Sequence, residues 1–171
     1  DEAAIPTWHH KLLYSWCATL EGLFASPVSY DDVLEACPRL WPEVSLVRRC
    51  APRLRDALLG TVPYQELLFP NGSMEMVLPV YQDSEFAKFY NECLFAAIER
   101  IVDKLLSRQR LSVLEVGAGT GGTTSSVLPA LQHVCLQYMF TDVSEFFLQQ
   151  AQHRFAGYAS FMRYELLNID A

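Results

Sequence analysis

Apolar positions along the chain fall into two patterns, a helical repeat over long stretches and short unbroken runs near the C-terminal third. Trp8, Leu12, Leu13, Trp16, Leu20, Leu23 and Phe24 repeat at helical spacing and predict a helix over 8–24 with one broad apolar face. Ser29 opens a short helix over Tyr30–Cys37, and Pro38 and Pro42 mark the loop after it. A third helix is expected over Val44–Leu59; it carries Arg48, Arg49, Arg53 and Arg55, read as a solvated basic face, with docking of an acidic carrier domain as the minority reading. From Gly60 to Asp83 the periodicity fails among Gly60, Pro63, Pro70, Gly72 and Pro79, which predicts a connecting segment and a boundary near 83. Asp83 or Ser84 then caps the strongest helix, in which Phe86, Phe89, Tyr90, Cys93, Leu94, Ile98, Ile101, Val102, Leu105 and Leu106 repeat over about six turns.

After that helix the period changes. Leu111, Val113, Leu114 and Val116 form the compact apolar run of a parallel strand covered on both faces. A helix resumes near Gly122, with Pro129 as a kink or early end. Val134–Thr141 reads as a second strand ending at Asp142. A helix capped by Ser144 runs to about Phe155, with Phe147, Leu148, Ala151 and Phe155 on one face, and Gly157 ends it. Phe161–Leu166 reads as a third strand, closing on Asn168, Ile169 and Asp170. Strands alternating with helices at this spacing give an α/β architecture with a parallel sheet.

Composition narrows the picture without changing it. An apolar fraction of 51% with 19% charged residues over 171 positions fits one globular domain with a small appendage. The net charge of −7 gives no general attraction to nucleic acid or to an anionic membrane, so neither is expected as a partner. Five scattered cysteines without a CxxC pair suit reduced thiols in a cytoplasmic protein, and no metal site is expected, His9 and His10 having no partner at ligand spacing. No run is long and apolar enough for a membrane span.

The chemistry concentrates between the first strand and the helix after it. Gly117, Gly119 and Gly122 satisfy GxGxxG, and Asp142 stands twenty residues beyond the last of them. That is where a dinucleotide fold places its ribose acid, so an NAD site fits by count. Glu115 argues the other way. Its carboxylate, two residues before the first glycine, repels a pyrophosphate and attracts a ligand that carries an ammonium and a sulfonium, as S-adenosyl-L-methionine does.

With those residues in view, the chain resembles the C-methyltransferase domains of polyketide synthases, a branch of the class I S-adenosylmethionine-dependent methyltransferases. The resemblance is carried by Glu66-Leu-Leu-Phe-Pro-Asn-Gly-Ser73, Tyr81–Asn91, Leu114–Gly122, Tyr138–Ser144 and Leu167–Asp170. It implies a helical N-terminal lid with its connecting segment over 1–83. Over 84–171 it implies the first half, three parallel strands, of a Rossmann-like sheet, completed by the remaining half of the methyltransferase core. Carried onto this sequence, it puts the methionine moiety over Gly117, Ala118, Gly119, Thr120 and Gly121 with Glu115 near its ammonium. Asp142 falls on the ribose hydroxyls, Val143 on the adenine, and Asn168 and Ile169 at the adenine edge, with Asn168 where the family commonly has aspartate. Tyr90 and Asn91 face the cofactor or substrate entrance, or serve helix packing. The implied reaction methylates the α-carbon of a β-ketoacyl thioester on an acyl carrier protein, alongside other synthase domains. The family's catalytic base is expected beyond residue 171, so no catalytic residue is assigned. A non-catalytic pseudo-methyltransferase and an NAD-dependent oxidoreductase are the alternatives.

Overall fold

The computed structural model describes residues 28–106 and 109–170. The predicted helix over 8–24, with His9, His10 and Cys17, lies outside the described residues. The chain divides into two compact units, one up to Val80 and one from Tyr81 onward.

The first unit is helical. Helix α1 (Tyr30–Ala36) starts where Ser29 predicts: the Ser29 hydroxyl accepts from the Asp32 N–H, and the Asp32 carboxylate accepts from the Ser29 N–H in return. Helix α2 (Trp41–Cys50) begins earlier than expected, because Pro42 sits in its first turn, where a missing N–H costs nothing. The expected single helix to Leu59 is instead broken at Pro52 into a 3-10 turn over Ala51–Arg53 and helix α3 (Leu54–Leu58). Arg48 pairs with Asp31, the Arg49 Nε–H donates to the Leu67 carbonyl at 3.2 Å, and Arg53 pairs with Asp56 at 3.0 Å. Much of the basic concentration is therefore engaged within its own unit. The segment after Gly60 is not structureless: helix α4 (Tyr64–Leu68), a 3-10 turn over Pro70–Gly72 and helix α5 (Leu78–Gln82) interrupt it. The boundary between the units falls within α5.

In the second unit Ser84 caps helix α6 (Glu85–Val102), its buried hydroxyl accepting from the Ala87 N–H at 3.1 Å. The helix ends at Val102, one turn short of the apolar pattern. Three strands follow, β1 (Leu111–Val116), β2 (Cys135–Asp142) and β3 (Met162–Leu166), all parallel and in the order β1-β2-β3. Helix α7 (Gly122–Leu131) joins the first two strands and tolerates Pro129 inside it, and helix α8 (Glu145–Arg154) joins the second and third. Register puts Val113 beside Tyr138 and Met162, and Glu115 beside Phe140 and Tyr164, on one face of the sheet. Val127, Leu128 and Leu131 of α7 and Leu148 and Ala151 of α8, with Phe155 just past its end, close that face into the core. Phe140 is fully buried, and a ring so placed contributes about 1.5–3 kcal/mol by burial.

The apolar run of β1 suits a strand covered on both faces in a completed sheet, and within this unit one of those faces stands open. Leu114 and Val116, which alternate with the inward Val113 and Glu115, are 62% and 50% exposed. An apolar run reads as buried wherever it occurs, but only the face bearing Val113 and Glu115 is covered by helices of this unit.

Candidate functional site

The end of β1 turns through three glycines with left-handed backbone: Gly117 (φ 68°), Gly119 (φ 55°) and Gly121 (φ 71°). They divide into two kinds. A Cβ added at Gly117 would meet nothing within 4 Å, and one at Gly119 only the Gly117 carbonyl at 3.9 Å. A Cβ at Gly121 would instead stand 2.8 Å from the Phe155 ring, and one at Gly122 2.6 Å from the Tyr81 carbonyl oxygen. So Gly117 and Gly119 border open space, whereas Gly121 and Gly122 are small because protein presses on them.

Asp142, at the end of β2 and 7% exposed, locks onto this turn. Its Oδ2 accepts from the Gly119 N–H at 2.9 Å and its Oδ1 from the Ser144 N–H at 2.9 Å. The Ala118 N–H donates to the Thr141 carbonyl at 2.9 Å, which ties the turn to β2 a second time. The Leu167 N–H donates to the Asp142 carbonyl at 3.0 Å, drawing in the chain after β3. Gly117–Gly121, Asp142, exposed Val143, and Asn168 with Ile169 thus gather at the carboxyl ends of three parallel strands, the place where open α/β sheets bind ligands. The Asn168 Oδ1 accepts from the Asp170 N–H at 3.0 Å and has a second lone pair to offer.

Glu115 occupies a different position from the other predicted residues. Its carboxylate is turned to the helix-covered face, where Oε2 accepts from the Thr124 hydroxyl at 2.6 Å and the Tyr138 hydroxyl at 2.8 Å. Its backbone carbonyl accepts from Thr141 Oγ1 at 2.6 Å. Burial pushes the Glu115 carboxyl above the ordinary glutamate range, and the two hydroxyl donors pull against that rise. The Tyr138 hydroxyl is driven up by burial first and by the neighbouring Glu115 charge second. Between the ordinary glutamate pKa and the raised one, the folded protein holds a proton that the unfolded chain has released. Stability contributed at Glu115 is therefore complete below that window and declines as pH rises through it. Glu115→Gln removes the titration, so the stability of the variant relative to the wild type should rise with pH across the window in denaturant titrations. Parallel curves would contradict this placement of the carboxylate.

Asn91 and Tyr90 also separate. Asn91 Oδ1 accepts from the Thr123 hydroxyl at 3.1 Å, its side-chain amide reaches the Tyr81 carbonyl at 3.5 Å, and its own carbonyl accepts from Ser126 Oγ at 3.3 Å. This clasp holds α6 against α7, as helix packing does. It also lines a polar cavity of about 330 Å³ with Gln82, Lys88, Glu92, Ser125 and Ser126, at the starts of the two helices. Tyr90 is 58% exposed and sits in a ring cluster with Phe86 at 5.2 Å and Phe89 at 5.3 Å.

Sequence reasoning missed Thr124, Tyr138 and Arg154. The Arg154 guanidinium donates from Nη1 to the Thr120 carbonyl at 2.8 Å and from Nη2 to Ser125 Oγ at 2.7 Å. A lone arginine in the last turn of a helix reads as solvated, and only its place just before the core residue Phe155 hints otherwise. Among the described residues no group of three histidine, cysteine or acidic side chains is placed to hold a metal ion, and no helix is long and apolar enough to cross a membrane.

Comparison with known proteins accords with this geometry. Residues 114–171 match a family model described as a methyltransferase domain. The chain is 38% identical over 134 residues to the polyketide synthase ThaQ of Burkholderia thailandensis, covering 74% of this chain and 6% of that synthase. It is 31% identical over 133 residues to the polyketide synthase PksR of Bacillus subtilis, covering 74% of this chain and 5% of the synthase. Among solved structures, the CurJ carbon methyltransferase superposes with a TM-score of 0.85 at 28% identity, over 98% of this chain and 49% of that one. The CMeT domain of the citrinin polyketide synthase gives 0.84 at 27% identity, over 98% and 50%. The chain therefore spans a few per cent of these synthases and about half of the solved domains. The fold, the glycine turn and these similarities together place the chain among the carbon-methyltransferase domains of polyketide synthases.

Proposed function

We propose that this site binds S-adenosyl-L-methionine, whose methyl group is transferred to the α-carbon of a β-ketoacyl thioester on an acyl carrier protein. The observation that carries the reading is the pairing of Asp142 with the open half of the glycine turn. The carboxylate is fixed by two backbone N–H groups yet keeps lone pairs for two ribose hydroxyls, and nothing stands over Gly117 or Gly119 to obstruct a ligand. Val143, exposed beside Asp142, offers an apolar surface to an adenine, and the Asn168 amide oxygen can accept from its amino group. Glu115, held by Thr124 and Tyr138, keeps a carboxyl group behind the turn, an arrangement unsuited to a pyrophosphate. The family resemblance supports the carrier-bound substrate and the company of other synthase domains.

We also propose that 1–83 and 84–171 are the lid and the first half of the methyltransferase core, and that the core is completed by further strands pairing along the outer edge of β1. The place of β1 at the end of the strand order supports this, since an unpaired parallel edge is otherwise a template for aggregation, and the exposed Leu114 and Val116 leave one face of that strand bare for further elements to cover. The base that removes the acidic α-proton belongs to that further part.

The test uses the intact synthase polypeptide, S-adenosylmethionine labelled in its methyl group and a β-ketoacyl thioester on its carrier. Label should appear at the α-carbon of the acyl chain. Binding of S-adenosylhomocysteine without label transfer would identify a non-catalytic pseudo-domain instead.

A further inference from the structure

The end of α8 lies against the glycine turn and grips it with two adjacent side chains. The Arg154 guanidinium reaches the Thr120 carbonyl with Nη1 and the Ser125 hydroxyl with Nη2, so a single rigid fork spans the last residues of the turn and the first turn of α7. Phe155 supplies the floor: its ring lies against Gly121, packs 6.3 Å from the Phe140 ring, and carries the Arg154 guanidinium 5.2 Å from its centroid. The turn is thus held at two adjacent residues by opposite charges, Asp142 on the Gly119 N–H and Arg154 on the Thr120 carbonyl.

We propose that Arg154 is a positioning residue for the cofactor, setting through Thr120 and Ser125 the backbone shape that Gly117 and Gly119 offer to the ligand. The inference rests on the S-adenosylmethionine reading. Three left-handed glycines give the turn many alternative conformations, and something must select one before a ligand arrives. Burial makes the guanidinium bonds worth more than those of a surface arginine, because water competes poorly for Thr120, itself 9% exposed. Lysine cannot reproduce the hold, since one ammonium lacks the planar fork that meets two separate acceptors.

The test compares wild type, R154M and R154K in the intact polypeptide by calorimetry with S-adenosylhomocysteine and by hydrogen exchange of the ligand-free protein. R154M keeps the apolar stem over Phe155 but loses both bonds; its dissociation constant should rise about tenfold at unchanged stoichiometry, with faster exchange over 119–125 and none of that change in β3. R154K should fall between the two, and it carries the test if R154M does not fold. Wild-type affinity at full stoichiometry, even with a lowered melting temperature, would make Arg154 merely structural and overturn the proposal. If wild type itself takes up no S-adenosylhomocysteine, the cofactor reading fails separately, and the exchange data still decide: faster exchange over the turn upholds the hold of Arg154, unchanged exchange overturns it.

Discussion

Gly121→Ala should destabilise the second unit by roughly 2–5 kcal/mol, while Gly117→Ala, four residues earlier at nearly the same backbone angle, should cost only about 1–2 kcal/mol. Both positions have positive φ, 71° and 68°, so both substitutions incur the penalty of a Cβ in the left-handed region. Only Gly121 adds a collision: its new Cβ would lie 2.8 Å and 2.9 Å from two atoms of the Phe155 ring. That ring is 4% exposed and belongs to the core, so it cannot swing aside as the tip of a flexible side chain would. Denaturant midpoints of the two variants, measured together, isolate the contact from the backbone penalty. Equal losses at the two positions would show that Phe155 does not press on the turn. The two glycines should also part company in binding, because a methyl group at Gly117 projects into the open space assigned to the ligand.

The second large effect is expected at Asp142. Asp142→Ala should weaken S-adenosylhomocysteine binding by roughly 1–3 kcal/mol, about five- to 150-fold. Two losses combine there. The ligand would forfeit the carboxylate proposed to accept from its ribose hydroxyls, and the Gly119 and Ser144 N–H groups would lose the acceptor that fixes the turn to β2. Asp142→Asn keeps one oxygen but turns an amide N–H toward a backbone N–H, so it should recover only part of the affinity. Calorimetry on the intact polypeptide measures both variants, and an Asp142→Ala variant with unchanged affinity would remove Asp142 from the site.

The site was legible in sequence wherever its geometry is local. The run Leu111–Val116 followed by alternating glycines announces a strand, a left-handed turn and a helix, because each of those states is chosen by the residues that adopt it. Asp142 was legible because a parallel strand of ordinary length places its end beside that turn. The partners of Glu115 were not. Thr124 lies nine residues away and Tyr138 twenty-three, and a hydroxyl on a helix or strand carries no mark of the carboxylate it will meet. The reading of Glu115 near a ligand's ammonium weighs its charge alone, and register adds what that leaves out, a place on the face beneath α7 beside Phe140 and Tyr164.

Elements shorter than two turns escaped for a related reason. Tyr64–Leu68 and Leu78–Gln82 are too brief to display a helical period, and the prolines and glycines around them read as a loop. The exposure of Leu114 and Val116 is legible from the topology and not from the strand itself: apolar composition states what a side chain prefers, whereas a sheet that supplies only three strands among the described residues leaves β1 at its edge.

The central claim is that the turn and Asp142 form a site for S-adenosylmethionine and not for a dinucleotide, although the glycine spacing and the distance to Asp142 satisfy both. Titration of the intact polypeptide with S-adenosylhomocysteine and, separately, with NAD decides between them. The account predicts saturable heat with S-adenosylhomocysteine and none with NAD at the same concentrations; NAD binding as tight as that of S-adenosylhomocysteine, or tighter, would contradict it.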